Sequence, residues 1–393
     1  MIDLLQPVTH TPDMPGMSLT VAEYFAGIGL VRMGLEACGW KVIFANDVSE
    51  KKYEMYRMFF PDADRHYRVG DIFDIDPSSV PYSTLATCSF PCIDLSLAGN
   101  RNGIEGKHSS AFWGFVNILK AQGQAAPALV MVENVPGWLS SNGGVDFRTT
   151  VQALNQLGYV CDVFTLDALH FTPQSRQRVF LVGTKFETRG QNLESRANRP
   201  RSLLSDGLRR SLNANQDLDW FCLELPEPPP QTTNGLYKII EGIEASDSRW
   251  WSEDEVQRHL LMMDESHLRR VKELQYKSEV SYRTFYRRRR QEQQRAEVRN
   301  DDLSGCLRTA VGGSGKQFLI QTGGGEIKMR TMTPREYARL QGVPDHFEIT
   351  VNGVQALTGF GDAVCVPAIS WIAEYVLTPL AMNSFACEPH ARL

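Results

Sequence analysis

The sequence predicts an α/β protein built on an open, mainly parallel sheet with helices on both faces. Three observations predict it. Short apolar runs alternate with helix-spaced segments from Leu19 to about Lys185, the pattern of repeated strand–helix units. That alternation then gives way to a polar and, further on, arginine-rich stretch. Helical order returns from Thr331 and ends in the strongly apolar segment Pro367–Leu380. With 393 residues, 42% hydrophobic and 22% charged, the chain has material for two or three domains with real cores.

Each element has a local reason. "LTVAEYFAG" is a β-rich run stopped by Gly27, and "LVRMGLEACG" has helical spacing and stops at Gly39. "KVIFAND" is a short strand ending at Asp47. "SEKKYEMYRMFF" is a helix with Ser49 as its N-cap. "YSTLATCSF" is a strand, "SAFWGFVNILKA" an amphipathic helix, and "PALVMVENV" an apolar strand between Pro127 and Pro136. "FRTTVQALNQLG" is a helix; "YVCDVFTLDA" and "RVFLVGT" are strands. Beyond them, "LPEPPPQTTNG" is a linker or surface loop, residues 253–280 are helical, and "QFLIQTGGG" is β-like among glycines. "TPREYARLQG" is a helix with Thr333 as cap, Pro334 in the first turn and Gly342 as stop.

The bulk numbers exclude several classes. No apolar run reaches the roughly 18 residues that span a bilayer, and "MIDLLQPVTHTPDMPG" lacks the basic start and apolar core of a secretory signal. A cytoplasmic protein with no membrane partner is expected. The eight cysteines include no Cys-x-x-Cys pair, so reduced thiols are expected rather than a metal site or disulfide scaffold. Net charge is −5, so a polyanion would need a local basic patch. Ser281–Asn300 offers one, with seven arginines against two glutamates. "GGSGK" at 312–316 is not a P-loop, because Ala310 and Gln317 stand where that motif needs glycine and Ser or Thr.

Four constellations carry chemistry. In "FAGIGL", Gly27 and Gly29 let the backbone turn beneath a nucleotide-like ligand, and Asp47, at the end of the second strand, is placed to accept ribose hydroxyls. The plain alternative is a strand–turn–helix. Asp71 in "VGDIFDI" is either a helix cap or a group that reaches an adenine amino group. In "SFPCIDLSLAG", Cys92 follows Pro91 at a strand end; a lone cysteine is more often core than nucleophile. Glu133 in "MVENVPG" ends an apolar strand, where burial can keep a proton on a carboxyl, or where backbone donors can simply satisfy it. In "PQSRQRVFLVG", Arg176 and Arg178 share one face of an extended segment, either in a site or on a solvated edge.

Together, and in this order, these segments resemble the DNA cytosine-5 methyltransferase family. "FAGIGLVRMGLEACG" resembles its cofactor motif, "SFPCIDLSLAGNRNG" its Pro-Cys loop, "ENVPG" its glutamate motif and "PQSRQRVFLVG" its Gln-x-Arg-x-Arg motif. "RTMTPREYARLQGVPDHF" and "GFGDAVCVPAISWI" resemble the segments that border the recognition region and close the fold. The resemblance covers about 19–185 and 305–380. Two positions depart from it: Leu30, where a further glycine is frequent, and Asp362, where Asn is usual.

The resemblance implies a Rossmann-like S-adenosylmethionine-dependent methyltransferase domain with an inserted, smaller, irregular target-recognition domain. Its expected limits are 1–185 for the first catalytic part, 186–330 for recognition, 331–356 for a border segment and 357–393 for the return. It implies Cys92 as nucleophile on cytosine C6, Glu133 as donor to N3, and Arg178, supported by Arg176, holding O2. For S-adenosyl-L-methionine it implies Phe25, Gly27, Gly29, Asp47, Asp71, Ile72 and Pro91. The substrate would be a base flipped from duplex DNA, with "NRNGIEGKHSS" closing over it. Arg287, Arg288, Arg289 and Arg290 would hold phosphates unless they form a solvated helix face, and Arg308 and Lys316 would reach base edges. A monomer on DNA is expected, with a cognate restriction endonuclease acting separately. The alternatives are a tRNA cytosine-5 methyltransferase of the same fold, or a catalytically silent DNA-binding relative.

Overall fold

The computed structural model describes residues 19–91, 111–186, 198–290, 292–309 and 315–387. Its strands are β1 (Thr20–Tyr24), β2 (Lys41–Asp47), β3 (Tyr67–Val69), β4 (Leu85–Cys88), β5 (Leu129–Asn134), β6 (Val160–Asp167), β7 (Gln177–Thr184), β8 (Ser281–Arg290), β9 (Gln293–Val298), β10 (Phe318–Gly323) and β11 (Glu326–Thr331). The α-helices are α1 (Leu30–Glu36), α2 (Glu50–Phe59), α3 (Ala63–His66), α4 (Ala111–Gln122), α5 (Val145–Gln156), α6 (Asp206–Ala214), α7 (Leu236–Ile239), α8 (Glu253–Leu261), α9 (Glu265–Gln275), α10 (Pro334–Leu340), α11 (Gly353–Asp362), α12 (Val366–Ile372) and α13 (Thr378–Cys387). The chain forms two compact units. One comprises Met1–Asp167, Gln177–Pro228 and Val366–Leu393, the other Ala168–Arg176 and Pro229–Cys365.

The first unit holds a seven-stranded sheet in the order β3-β2-β1-β4-β5-β7-β6. The pairs β1–β2, β2–β3, β1–β4 and β4–β5 are parallel, as the strand–helix alternation predicts. The departure is β7, which runs antiparallel between β5 and β6. Only Ala168–Arg176 connects β6 to β7, and a parallel return needs a crossover of roughly a dozen residues or more. The strands are apolar on both faces; β4 and β5 are buried at every position, as sheets covered on both sides require. Ser49 caps α2 by accepting from the Lys52 N–H at 3.4 Å. The chain end returns to this unit: Ser370 of α12 donates to the Gly34 carbonyl at 3.0 Å, and Trp40 Nε1 donates to Thr378 Oγ1 at 3.0 Å. By length and composition alone Gly353–Asn383 would span a membrane, but most of its apolar window is buried in protein, and Ala363–Cys365 interrupts the helix.

The first compact unit continues past 186 as far as Pro228. Residues up to Pro228 stay with the first unit because Arg199 makes a buried ion pair with Asp162 on β6, at 2.6 Å, and Trp220 stacks with Phe147 of α5. That unit resumes at Val366.

The second unit is more regular than its composition suggests. It carries an antiparallel sheet ordered β11-β10-β8-β9. Phe285, Ala296, Val298, Phe318, Ile320 and Met329 from that sheet pack with Val256 and Leu260 of α8 and Val271 of α9. The arginine run is therefore strand β8, not a helix face, because Phe285 and its alternating neighbours supply the apolar side that a hairpin needs. Thr333 and Glu336 form a capping box at α10, and Pro334 occupies the first turn. Glu336 is fully buried against the equally buried Arg330, with Arg330 NH1 donating to Oε2 at 2.8 Å.

Candidate active site

The glycine turn after β1 is built by three groups. Asp47 Oδ2 accepts the Gly27 N–H at 3.0 Å, and Oδ1 accepts the Ser49 N–H at 2.9 Å. Tyr67, at the start of β3, donates its hydroxyl to the Gly27 carbonyl at 3.1 Å. The backbone at Gly27 and Gly29 is left-handed, with φ of 56° and 82°. A Cβ on Gly29 would fall 2.5 Å from the Phe60 ring, so that glycine serves close packing. A Cβ on Gly27 would meet nothing nearer than 3.9 Å; the space above that turn is open to a ligand. Phe25 has φ of 58°, a costly value for an aromatic residue, of the kind held at ligand sites. Asp47 keeps unused lone pairs for hydroxyl donors.

Asp71 and Ile72 follow β3. The Asp71 carboxylate accepts the Phe73 N–H at 3.1 Å, so its plain role as a cap is present. Ile72 is buried and packs on Gly114 of α4. Pro91 is half-buried. Cys92 and the loop 100–110 lie outside the described residues.

The strand ends carry the second cluster. Glu133, at the end of β5, and Arg178, at the start of β7, meet with Arg178 Nε 3.1 Å from Glu133 Oε1. Their side chains are only 10% and 12% exposed, so little water screens the pair. Neighbouring Asn134 donates Nδ2 to the Phe90 carbonyl at 3.4 Å, and its Oδ1 accepts the Val135 N–H. Asn134 thus ties the glutamate strand to the segment that leads into Pro91. In such sheets ligands bind beyond the carboxyl ends of the strands, and Asp47, Cys88 and Glu133 all lie at or near those ends.

Arg176, expected to support Arg178, is held by backbone carbonyls of its own unit. It belongs to the second unit. There its guanidinium donates to the Leu307, Gly361 and Ala363 carbonyls at 2.8, 3.2 and 2.5 Å. These bonds consume it as a clamp between two backbone segments. Chain alternation placed Arg176 and Arg178 on one face, but the segment through Arg176 is not strand. Gly361 shares this clamp: a Cβ there would fall 2.2 Å from the Arg308 carbonyl. Asp362, the departure from the family pattern, accepts the Thr309 hydroxyl at 2.6 Å.

Of the residues expected at DNA, Arg308 is exposed and Lys316 half-buried. Arg287 lays its guanidinium over the Phe318 ring at 4.9 Å. Arg288, Arg289 and Arg290 are more open, and Arg290 pairs with Glu297 at 2.5 Å. The sequence reading missed Tyr67, Asn134 and Glu23. Glu23, in β1 two residues before Phe25, is buried, and neither carboxylate oxygen has a hydrogen-bond partner among the described residues. Burial pushes its pKa up to about 8, against the opposing pull of the nearby Arg32 charge. A buried charge-bearing residue inside an apolar strand was the available signal.

A mainly parallel sheet with a glycine turn, an acidic second-strand end and an antiparallel seventh strand defines an α/β methyltransferase. Residues 19–378 match the family described as C-5 cytosine-specific DNA methylase, and the chain belongs to that family. Its methyl donor is S-adenosyl-L-methionine. The chain is 28% identical to type II methyltransferase M.HaeII of Haemophilus aegyptius over 368 residues, covering 92% of this chain and 93% of that one. It is 23% identical to type II methyltransferase M.HhaI of Haemophilus parahaemolyticus, covering 93% and 97%. The fold is similar to that of the S. pombe Dnmt2 methyltransferase, with a TM-score of 0.60 and 17% identity over 93% of this chain and 99% of that one.

Proposed function

We propose that this enzyme methylates C5 of a cytosine flipped out of a specific duplex DNA sequence, through a covalent bond from Cys92 to C6. The observation that carries the reading is the sequestered Glu133–Arg178 pair, whose strand is tied through Asn134 to the Phe90 carbonyl, two residues before Cys92 in the sequence. Cytosine C5 is a weak nucleophile. Addition of the Cys92 thiolate to C6 turns the ring into an enamine. Glu133 donates a proton to N3 and takes up the charge that addition pushes into the ring. Arg178, already oriented by Glu133, donates to O2, where charge also develops. When bound, S-adenosylmethionine supplies an electrophilic methyl group to C5. A base then removes the C5 proton, the C5–C6 double bond re-forms and Cys92 leaves as thiolate.

Gly27, Phe25, Asp47, Asp71, Ile72 and Pro91 fit the cofactor: an open cradle at Gly27, an aromatic face at Phe25 and a carboxylate for the ribose. Arg308 and Lys316 are assigned to base edges. We assign the enzyme to the cytoplasm, as a monomer on DNA beside a separate cognate endonuclease, a reading supported by the type II relatives. The test is bisulfite sequencing of duplex DNA incubated with the protein and S-adenosylmethionine. Protection of one cytosine in one short sequence is expected. No protected cytosine, or protection without sequence preference, would overturn the reading.

A further inference from the structure

The four consecutive arginines of β8 do not act as one patch, because strand geometry sends alternate side chains to opposite faces. Phe285 and Arg287 lie on the face that packs against α8 and α9, with Arg287 stacked over Phe318. Tyr286, Arg288 and Arg290 lie on the other. Cross-strand register adds Gln293, Arg295 and Glu297 of β9 to that outer face, with Arg288 directly opposite Arg295 and Tyr286 opposite Glu297. Arg288 caps the Tyr286 ring at 4.6 Å and lies 3.7 Å from Glu297, which also pairs with Arg290 at 2.5 Å. Arg308 is near enough for its charge to act on the Tyr286 hydroxyl. One carboxylate thus organises two hairpin arginines, Arg288 and Arg290, and leaves an excess of positive charge on an otherwise acidic protein.

Two features make this more than a solvated strand face. Like charges directly opposite each other on one face of a strand pair destabilise it, yet Arg288 and Arg295 are so placed. The arginines are also braced rather than loose: Arg288 on Tyr286, Arg290 on Glu297, and Arg295 on Gln293 at 2.8 Å. Local conflict retained and held in place is the signature of a binding surface. Arg288 and Arg290, two residues apart on an extended strand, are separated by about 6.8 Å, which lets them address successive anionic groups along a backbone.

We propose that the outer face of the β8–β9 hairpin holds the phosphate backbone of duplex DNA through Arg288, Arg290 and Arg295, while Arg287 serves packing and touches no DNA. Glu297 pre-orders the arginines and sets how tightly the surface holds DNA. The assignment rests on the DNA-methylase reading and adds which side chains position the duplex. Phosphate contacts fix register and carry no sequence information of their own.

The test measures DNA affinity against salt for the unaltered protein, R287Q, E297Q and the triple variant R288Q/R290Q/R295Q, each on target and scrambled duplexes. The triple variant should lower the slope of log K against log salt by about 3, at roughly 0.9 per phosphate released, and weaken both duplexes equally. R287Q should leave the slope unchanged, and E297Q should tighten binding to both duplexes. If the triple variant unfolds, R290Q and R295Q singly should each lower the slope by about 1. An unchanged slope in these variants, or a flattened slope in R287Q, would overturn the assignment. A loss confined to the target sequence would show that these arginines read bases, and would overturn it too. Methyl transfer by the unaltered protein tests the underlying reading separately.

Discussion

Glu23→Gln tests the physical account of the first strand most sharply. Glu23 is 1% exposed in β1, and its carboxyl titrates near 8 rather than at its ordinary 4.5. Burial is the main cause; the Arg32 charge opposes it, while Glu36 and Asp47 push the same way as burial. Tyr56 and Tyr67 also face the group. The sign follows from proton counting. Between pH 4.5 and pH 8 the unfolded chain releases a proton that the folded chain keeps. The folded state binds more protons, so this residue's contribution falls as pH rises through that window. With each pKa unit worth a little over 1 kcal/mol, the loss between pH 5 and pH 8 is on the order of 3–4 kcal/mol. Glutamine keeps the shape and cannot titrate. The variant should therefore gain on the order of 3–4 kcal/mol on the unaltered protein across that range, with the other titrating groups cancelling in the difference. Urea unfolding at pH 5, 6.5 and 8, with both proteins side by side, reads this directly. Stability curves that stay parallel across that range would refute the buried, protonated Glu23.

Three further outcomes are expected. Glu133→Gln should cut the methyl-transfer rate by about two orders of magnitude or more while leaving the thermal midpoint and cofactor affinity nearly unchanged; an active variant that unfolds early would make Glu133 a structural residue. Tyr67→Phe removes the hydrogen bond to the Gly27 carbonyl and should weaken S-adenosylmethionine binding about fivefold, the value of one hydrogen bond of about 1 kcal/mol. Calorimetric titration checks it, and unchanged affinity would free the turn from Tyr67. Glu336→Ala leaves Arg330 buried without its counter-charge and should cost about 3–5 kcal/mol in denaturant unfolding; a loss below 1 kcal/mol would show that water reaches the pair.

Most of the parallel part of the large sheet was legible because β1, β2, β4 and β5 are short, largely apolar runs ended by Gly, Asp or Pro; β3, only three residues long, was not. The α10 cap was legible because Thr333, Pro334 and Gly342 each act through the local backbone. The antiparallel β7 was not, since apolar runs buried on both faces look alike in either direction. The arginine run deceived for a related reason. Its charges hide the period-two pattern, and Phe285 is a single apolar landmark among them. Glu133, Arg178 and Asp47 were singled out by their positions, and the structure places all three at strand ends. Arg176 and Arg178 do not share a strand face, because two residues of separation imply one only where both lie in the strand, and Arg176 precedes β7. Tyr67 and Asn134 act through hydrogen bonds to backbone carbonyls far away in sequence, for which no local pattern exists.

The central claim is that Cys92, assisted by Glu133 and Arg178, bonds covalently to the cytosine it methylates. Duplex DNA carrying 5-fluorocytosine at the target position tests it most directly, because fluorine cannot leave as a proton does and the thiol adduct cannot resolve. With S-adenosylmethionine present, the unaltered protein should form a complex with this DNA that survives denaturing electrophoresis. Cys92→Ala should form none, and peptide mapping should place the adduct on Cys92. An equally stable complex with Cys92→Ala, or none with a protein that methylates ordinary cytosine, would contradict the account.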